Sequence, residues 1–385
     1  MQIIKPEEVE ITASIGSMPL FPKTIDIELT NGAKSTFKVE WPDISVKELL
    51  TSGELVVEGT IISQEFPSPL VKKRADPFIQ RHIDGFYYFT GSHPEYDRIV
   101  LRRAKTIKGL SEAEEVVIWE KHKAGIMSEH IWAPELHYIN NKWYIYYAAG
   151  DKDDVWAIRP YVLECSYENP LTGVWIEKGP INLAFQSFSL DATLFEHNGS
   201  RYLIWAQKVE NDTISNLYIA KMRNPWSIEN EQIRIATPEY EWEQYGFHVN
   251  EGAAVIKRNG HIFVSYSASA TDDRYVMGLL SAKDDSDLLD PKSWYKTPQP
   301  VFVSSEETKK FGPGHNSFTM TEDGTADLLV YHARPYKKIV GNPLYDHNRH
   351  AYVQRLFWHS DGTPFFGVPG YELEDKVVTA KIIVR

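Results

Sequence analysis

The stretch HIDGFYYFTGS, residues 82–92, decides the fold of this chain of 385 residues. A turn at Asp84-Gly85 leads directly into a run of aromatic residues, which favour β-strands. The same layout occurs four more times, in INNKWYIYYAAG (139–150), EHNGSRYLIWAQ (196–207), KRNGHIFVSYSAS (257–269) and EDGTADLLVYHAR (322–334). The strands begin near Phe86, Trp143, Tyr202, Ile262 and Leu328, so their spacings are 57, 59, 60 and 66 residues. A repeat of this kind predicts a fold built from similar units.

A unit of about 60 residues has room for four short strands and their loops, which make one blade of a β-propeller. Five blades fall within the range of ~4–8 that propellers use. Helical periodicity is weak throughout. The repeat therefore predicts an all-β chain in which residues 74–370 form a five-bladed β-propeller. The alternative is a β-sandwich in which similar hairpins recur by coincidence.

The first 66 residues predict a separate small all-β unit. Residues 24–41, TIDIELTNGAKSTFKVEW, alternate apolar and polar positions around an Asn31-Gly32 turn, and GELVVEGTII (53–62) supplies another strand. The order of these elements resembles a bacterial Ig-like module, which implies a β-sandwich. Residues 67–73 contain two prolines and predict a linker. Residues 371–385 predict a strand that either completes the last blade or pairs with the N-terminal module.

Composition narrows the class of partner. The formal net charge of −12 argues against binding to nucleic acid or to an anionic membrane, and no apolar run is long enough to span a bilayer. Aromatic residues make up 13% of the chain, which suits surfaces that stack on sugar rings. A single cysteine, Cys165, excludes an intrachain disulfide. The start MQIIKPEEVEI shows no signal peptide, which predicts a cytoplasmic protein or a secreted one whose signal has been removed.

One residue in each repeat stands 10 to 13 positions before the aromatic strand, at the start of the preceding strand. These residues are Asp76, Trp132, Asp191, Glu251 and His315. The innermost strand of every blade lines the central channel of a propeller. Residues at one phase of the repeat should therefore converge near one end of that channel. The repeat thus predicts a site with three carboxyl groups, an indole and an imidazole.

Such a set is chemically sufficient for glycoside hydrolysis. One carboxyl group must be protonated to assist the leaving oxygen, and another must be ionised to activate water or to attack carbon. A third carboxylate can raise the pKa of the acid by like-charge repulsion. In an inverting enzyme the acid and the base stand ~6.5–9.5 Å apart, and in a retaining enzyme ~5–5.5 Å apart.

At these residues the chain resembles glycoside hydrolase family 43, whose catalytic domain is a five-bladed β-propeller. The resemblance implies that Asp76 is the general base, that Asp191 tunes the pKa of the acid, and that Glu251 is the general acid of an inverting hydrolase. It implies no cofactor for the chemistry. His315, in GPGHNSF, matches a histidine that contacts a hydrated cation in many members, which implies a structural calcium ion on the propeller axis.

Longer stretches are similar to the exo-acting α-1,5-L-arabinofuranosidases of that family. They include PEYDRIVLRRA (94–104), HIWAPELHYINNKWYIYYAAG (130–150), DVWAIRPYVLE (154–164), SFSLDAT (187–193), VNEGAAVIKRNG (249–260), YSASATD (266–272) and GPGHNSFT (312–319). The resemblance implies release of terminal L-arabinofuranose from α-1,5-linked arabinan or arabino-oligosaccharides. The alternatives are a β-xylosidase or an endo-arabinanase on the same propeller, and a carbohydrate-binding propeller without catalysis.

Four further residues are predicted to bind the sugar. Trp132 offers an indole face to the ring, and Phe188 and Tyr96 are candidates for the pocket wall. Arg334 is predicted to donate paired hydrogen bonds to a sugar hydroxyl or to a catalytic carboxylate. The long segments 93–119 and 332–350 are candidate pocket walls, because exo action needs a blind pocket and endo action an open groove.

Overall fold

The computed structural model describes residues 1–2, 4, 6, 8–63, 65–209, 212–229, 231–374 and 376–385. Within these residues the chain is all-β, and helix is confined to short turns. The turns are α1 (Ile107–Leu110) and the 3-10 segments Val46–Leu49, Glu241–Glu243, Pro291–Ser293 and Pro343–Tyr345. Among the described residues no helix is long and apolar enough to cross a membrane.

The N-terminal module contains four strands before the propeller begins. They are β1 (Val9–Ala13), β2 (Thr24–Glu28), β3 (Lys34–Glu40) and β4 (Gly53–Ile61). The predicted hairpin around Asn31-Gly32 is the antiparallel pair β2–β3. Its apolar side chains are buried in a core with Ile27 and Phe37 at the centre.

The predicted five-bladed β-propeller is confirmed. Blade one has β5 (Ala75–Arg81), β6 (Tyr87–Ser92), β7 (Arg98–Ala104) and β8 (Val116–Glu120), and blade two has β9 (Ile126–Ile139), β10 (Lys142–Asp151), β11 (Arg159–Cys165) and β12 (Trp175–Pro180). Blade three has β13 (Ser189–His197), β14 (Ser200–Lys208), β15 (Ser215–Asn224), β16 (Ser227–Ile228) and β17 (Ile233–Ala236). Blade four has β18 (Asn250–Arg258), β19 (His261–Ala268), β20 (Val276–Lys283) and β21 (Tyr295–Lys296), and blade five has β22 (Phe311–Met320), β23 (Asp327–Arg334) and β24 (His350–Arg355).

The first strands of the blades form a closed ring around the axis. Each of β5, β9, β13, β18 and β22 packs against the next, and β22 packs against β5. A second contact joins the first and last blades, because Val71, just before blade one, pairs with Ala351 of β24 in blade five. Residues just before the first blade thus hold the last blade in place.

The C-terminal segment pairs with the N-terminal module. After β25 (Phe357–Trp358) and β26 (Pro364–Phe365), the last strand β27 (Val377–Val384) lies between β1 and β4. It is parallel to β1 and antiparallel to β4. Every second residue of β27 is buried, so the strand supplies part of the module's core. The sequence allowed this strand either to complete the last blade or to pair with the N-terminal module, and the structure shows the pairing with the module.

Deleting residues 377–384 should therefore loosen the N-terminal module and leave catalysis largely intact. The deletion removes the only strand that joins β1 to β4 among the described residues, together with the buried side chains of β27. Limited proteolysis should show new cleavage within residues 8–63, while hydrolytic activity persists. Unchanged protease resistance in the truncated chain would contradict this role for β27.

Candidate active site

The first strand of every blade carries the same irregularity near the channel. The pairing register with the second strand shifts there, which is a β-bulge. At each bulge one residue has a positive φ: Asp76 (54°), Ala133 (46°), Asp191 (55°), Gly252 (57°) and His315 (41°). Glycine, aspartate and histidine are among the residues that best tolerate this left-handed region. The local sequence therefore fits the backbone of four of the five bulges, and Ala133 is the exception.

The bulges correct the predicted phase of the repeat. Trp132 and Glu251 stand one residue before the positive-φ position of their blades, so the common phase is wrong by one residue for both. Their true equivalents are the small residues Ala133 and Gly252. A Cβ atom at Gly252 would lie 3.0 Å from the imidazole of His315, so glycine leaves the space that this ring occupies. A bulge places two residues of one strand opposite a single residue of its partner strand. Residues at the positive-φ position in some blades, and residues one position earlier in others, therefore line the same cavity.

At the bulges some backbone N–H groups have no partner in the β-sheet. Side chains of neighbouring elements accept hydrogen bonds from these groups. Unpaired buried N–H groups are costly, so each acceptor helps to fix the bulge. The four contacts are Ala133 N–H to Ser92 Oγ (2.8 Å), Gly252 N–H to Asp191 Oδ2 (3.0 Å), His315 N–H to Ser267 Oγ (2.7 Å) and Asp76 N–H to His332 Nδ1 (3.1 Å). The orientation of the Asp191 carboxyl group follows directly from the second contact.

Asp76 lies among donors and cations. Ser92 Oγ donates to its Oδ2 at 2.5 Å, while His315 Nδ1 and a guanidinium nitrogen of Arg349 lie 3.3 and 3.6 Å from its Oδ1. Burial favours the neutral carboxyl group, but the charges of His315 and Arg349 favour the ionised form and hold the pKa of Asp76 well below its usual range. His332 is neutral, because burial lowers its pKa to about 3 and its Nδ1 accepts the Asp76 N–H. Asp76 is therefore ionised at neutral pH.

The pKa of Glu251 is shifted in the opposite direction to that of Asp76. Burial, followed by the charge of Asp191, raises the pKa of Glu251 to about 7, although the Tyr275 hydroxyl donates to its Oε1 at 2.9 Å. Burial raises the pKa of Asp191 as well. Asp191 also accepts the Gly252 N–H and faces His315 Nδ1 at 3.7 Å, and both contacts favour its ionised form. Of the two, Glu251 keeps the proton.

His315 joins the two ionised carboxylates. Burial lowers the pKa of His315, but Asp76 and Asp191 outweigh it and raise the pKa above its ordinary value. The same Nδ1 atom faces a carboxylate oxygen of each. When protonated, His315 lowers the cost of holding two negative charges in a buried site.

Replacing Asp191 with asparagine should move the alkaline limb of the rate profile to lower pH. The Asp191 charge raises the pKa of Glu251, so its removal lets Glu251 lose its proton earlier as the pH rises. A kcat/KM profile of Asp191→Asn, with the exposed Asp285→Asn as matched control, measures this shift. An unchanged alkaline limb would rule out pKa tuning by Asp191.

These groups line a cavity of about 420 Å³ at one end of the channel. Asp76, Asp191, Glu251, His315 and Trp132 all contribute to its lining, as does Phe188. The indole Nε1 of Trp132 is buried and has no hydrogen-bond partner among the described residues. A sugar hydroxyl in the cavity could satisfy that donor. The structure thus brings together five residues of the predicted site and one of the predicted pocket walls.

Tyr96 and Arg334 are placed differently from the prediction. Neither lines the cavity. Arg334 uses its guanidinium to donate to the backbone carbonyls of Thr271 (2.5 Å), Pro343 (2.6 Å) and Asp346 (3.3 Å). The Tyr96 hydroxyl donates to the carbonyl of Leu344 at 2.6 Å. Both side chains hold the loop 335–349, because they donate hydrogen bonds to backbone carbonyls of the loop.

This loop forms one wall of the cavity. Asn342, Pro343 and Leu344 line the cavity, so part of the predicted segment 332–350 is confirmed as wall. Tyr336 donates to both carboxylate oxygens of Asp346 at 2.9 and 2.8 Å, which fixes the loop internally. Contacts from several blades therefore hold the wall in one position.

The repeat did not predict several residues of the site, and Arg349 and Tyr275 are two of them. Arg349, at the end of the loop, lies beside Asp76 and also donates to the Tyr96 hydroxyl at 2.8 Å. Tyr275, one residue before β20, holds Glu251. Neither residue stands on the first strand of a blade, so the repeat phase gave no signal for them. The one available signal was that Arg349 falls inside the long segment already marked as wall.

Comparison with known sequences assigns the chain to a family. Residues 66–364 match Glycosyl hydrolases family 43, and residues 5–63 match Bacterial Ig-like domain (group 4). The first match covers most of the chain and contains the whole acid cluster. The chain therefore belongs to glycoside hydrolase family 43, and it carries an Ig-like domain in front of the propeller.

Individual relatives are similar over most of the chain. An extracellular exo-α-(1→5)-L-arabinofuranosidase of Streptomyces avermitilis is 56% identical over 308 residues, which cover 80% of this chain and 64% of that protein. An enzyme of the same name from Streptomyces chartreusis is 56% identical over 279 residues, covering 72% and 85%. The crystal structure of an α-L-arabinofuranosidase from Lactobacillus brevis superposes with a TM-score of 0.77 at 50% identity, covering 80% and 98%. This chain spans less than two thirds of the length of the Streptomyces avermitilis relative.

Proposed function

We propose that the protein is an inverting exo-hydrolase that releases terminal L-arabinofuranose from α-1,5-linked arabinan or arabino-oligosaccharides. One arrangement carries the proposal: a single cavity holds Asp76, whose pKa lies well below its usual range, and Glu251, whose pKa burial raises to about 7. Asp76 activates a water molecule, Glu251 protonates the leaving oxygen, and Asp191 keeps the pKa of Glu251 high. The three groups and water suffice for this hydrolysis.

The loop 335–349 supports exo rather than endo action. An endo-acting enzyme needs a groove that is open on both sides of the scissile bond. Here Asn342, Pro343 and Leu344 close one side, and Arg334 and Tyr96 hold them there. The names of the relatives support arabinofuranose as the sugar, and the word extracellular in two of them supports action on polymer outside the cell.

Digestion of linear α-1,5-arabinan tests the proposal. We expect arabinose as the sole early product, and proton NMR of fresh digests should show the β-anomer first, since the α-linkage is inverted. Early release of oligosaccharides would indicate an endo-arabinanase, and activity restricted to xylosides would indicate a β-xylosidase. Binding of arabinan without any hydrolysis would indicate a carbohydrate-binding propeller.

A calcium ion at His315 remains a separate proposal. His315 offers only a nitrogen ligand, whereas Ca²⁺ prefers six to eight oxygen ligands, so water must complete the shell. Among the described residues the one group of three ligands close enough to share an ion, His93, Glu95 and Asp97, does not include His315. The ion would supply positive charge near the axis. Calorimetric titration with Ca²⁺ should show one site that His315→Ala removes, and equal binding by both proteins would refute the assignment.

A further inference from the structure

Two stacked aromatic side chains connect blades four and five at the acid cluster. The phenol ring of Tyr275 lies parallel to the imidazole of His332, with ring centres 5.7 Å apart and planes inclined by 7°. Both side chains are buried; Tyr275 immediately precedes β20, and His332 belongs to β23. Parallel, offset rings at this separation attract each other. The two blades are therefore joined by a rigid contact at this point.

Each ring of the pair contacts a different catalytic carboxyl group or its backbone. The Tyr275 hydroxyl donates to Oε1 of Glu251 at 2.9 Å. His332 Nδ1 accepts the backbone N–H of Asp76 at 3.1 Å and lies 3.4 Å from Oδ1 of the same residue. Direct contacts thus lead from the acid, through the two stacked rings, to the base.

The motif GPGHNSF, residues 312–318, leaves the space that Tyr275 occupies. A Cβ atom at Gly314 would lie 2.6 Å from a ring carbon of Tyr275, and a Cβ atom at Gly312 would lie 2.2 Å from the carbonyl oxygen of Asp272. That carbonyl accepts the Tyr275 N–H at 3.3 Å and closes the turn that carries the ring. Only glycine permits such close approach, so both glycines of the motif fit the turn and its tyrosine.

The Tyr275 hydroxyl also suits the charge that Glu251 acquires during hydrolysis. When Glu251 gives its proton to the leaving oxygen, negative charge develops on its carboxyl group. A donor that is already in place stabilises this charge without rearrangement. Burial raises the pKa of Tyr275 well above its ordinary value, so the hydroxyl keeps its proton and remains a donor.

We propose that Tyr275 and His332 are positioning residues whose stacked rings fix the acid and the base relative to each other. Tyr275 has a second role, because its hydroxyl orients the Glu251 carboxyl group and stabilises the carboxylate that proton transfer leaves behind. This inference rests on the proposed function and adds the residues that hold its two catalytic groups at a fixed separation.

Tyr275→Phe tests the hydroxyl while keeping the ring. On α-1,5-arabinotriose kcat should fall by about tenfold, the scale of one hydrogen bond to a charged group. On a dinitrophenyl arabinofuranoside, whose leaving group needs no proton, kcat should change by less than about twofold. Tyr146→Phe is the matched control: it also removes a buried hydroxyl, which donates to the Pro225 carbonyl, and it should change neither rate.

The alkaline limb of the kcat/KM profile gives a second readout for Tyr275→Phe. The hydroxyl favours ionised Glu251, so its loss should raise the pKa of Glu251 and move the limb to higher pH. The charged groups that face Glu251, namely Asp191, His315 and Asp76, stay in place. A variant that merely loosened the site would admit water and lower this pKa toward its ordinary value of 4.5. A limb that stays in place or moves to lower pH would overturn the role of the hydroxyl.

Tyr275→Leu and His332→Asn test the stack, since each removes one of its rings. Asparagine keeps an oxygen that can accept the Asp76 N–H. Both variants should lower kcat by at least about tenfold on arabinotriose and on the dinitrophenyl substrate, because the base also loses its position. If Tyr275→Leu fails to fold, His332→Asn alone decides this point. An unchanged rate on the dinitrophenyl substrate would overturn the positioning role, whereas failure of the unchanged protein to hydrolyse any α-L-arabinofuranoside would contradict the proposed function.

Discussion

Glu251→Gln should lower kcat on α-1,5-arabinotriose by about a thousandfold, within the range of 10²–10⁴ that general acids contribute. The amide cannot protonate the leaving sugar oxygen, and a sugar alkoxide is a poor leaving group. On an arabinofuranoside with a dinitrophenyl leaving group the loss should be far smaller, because that group departs without a proton. Comparing kcat for the two substrates, in the variant and in the unchanged protein, measures the effect.

Thermal stability provides an independent control for the same variant. A carboxyl group whose folded pKa is raised adds stability below its unfolded pKa, and this contribution is lost as the pH rises through the folded value. For Glu251 the window runs from 4.5 to about 7. Glu251→Gln should therefore melt higher than the unchanged protein at pH 8 and nearly equal to it at pH 4. Equal losses on both substrates, or a lower melting temperature at pH 8, would contradict the assignment of Glu251 as the acid.

The sequence predicted the blades because the same turn and aromatic strand occur five times at similar spacing. Each aromatic strand buries its side chains between neighbouring blades, so the spacing of those strands reports the fold directly. The placement of β27 could not be predicted, since its alternation of buried and exposed residues suits the edge of either sheet. Only the packing of the folded chain distinguishes the N-terminal sheet from the last blade.

The three carboxyl groups of the site were predictable from the sequence, but their register was not. Counting residues back from the strands found Asp76, Asp191 and Glu251, yet it treated Glu251 as equivalent to the aspartates. A bulge adds a residue without a sequence signal of its own, so the one-residue offset appears only in the backbone. Arg334 was assigned to the sugar for its guanidinium fork, which the structure uses instead on backbone carbonyls of the wall. Long-range partners of that kind lie beyond any local pattern.

Asp76→Asn should lower kcat by about a thousandfold on arabinotriose and by a similar factor on the dinitrophenyl substrate. In an inverting displacement the base takes a proton from water as that water attacks and the leaving group departs, so a good leaving group cannot replace the base. Asparagine tolerates the left-handed backbone at this position, where φ is 54°, and the bulge should persist. Asp285→Asn, at an exposed carboxylate, serves as the matched control and should change neither rate. A loss that shrinks with a better leaving group would assign Asp76 to the acid and not to the base.

The stability of Asp76→Asn should change with the opposite sign to that of Glu251→Gln. The folded pKa of Asp76 lies below its ordinary value of 3.8, so the ionised group contributes stability above pH 3.8. That contribution is lost as the pH falls toward the depressed folded value. At pH 7 the variant should melt lower than the unchanged protein, because His315 and Arg349 lose the charge they face, and the deficit should shrink as the solution is acidified. The two carboxyl groups would then have opposite effects on stability at neutral pH, which is what an ionised base and a protonated acid require of one buried site.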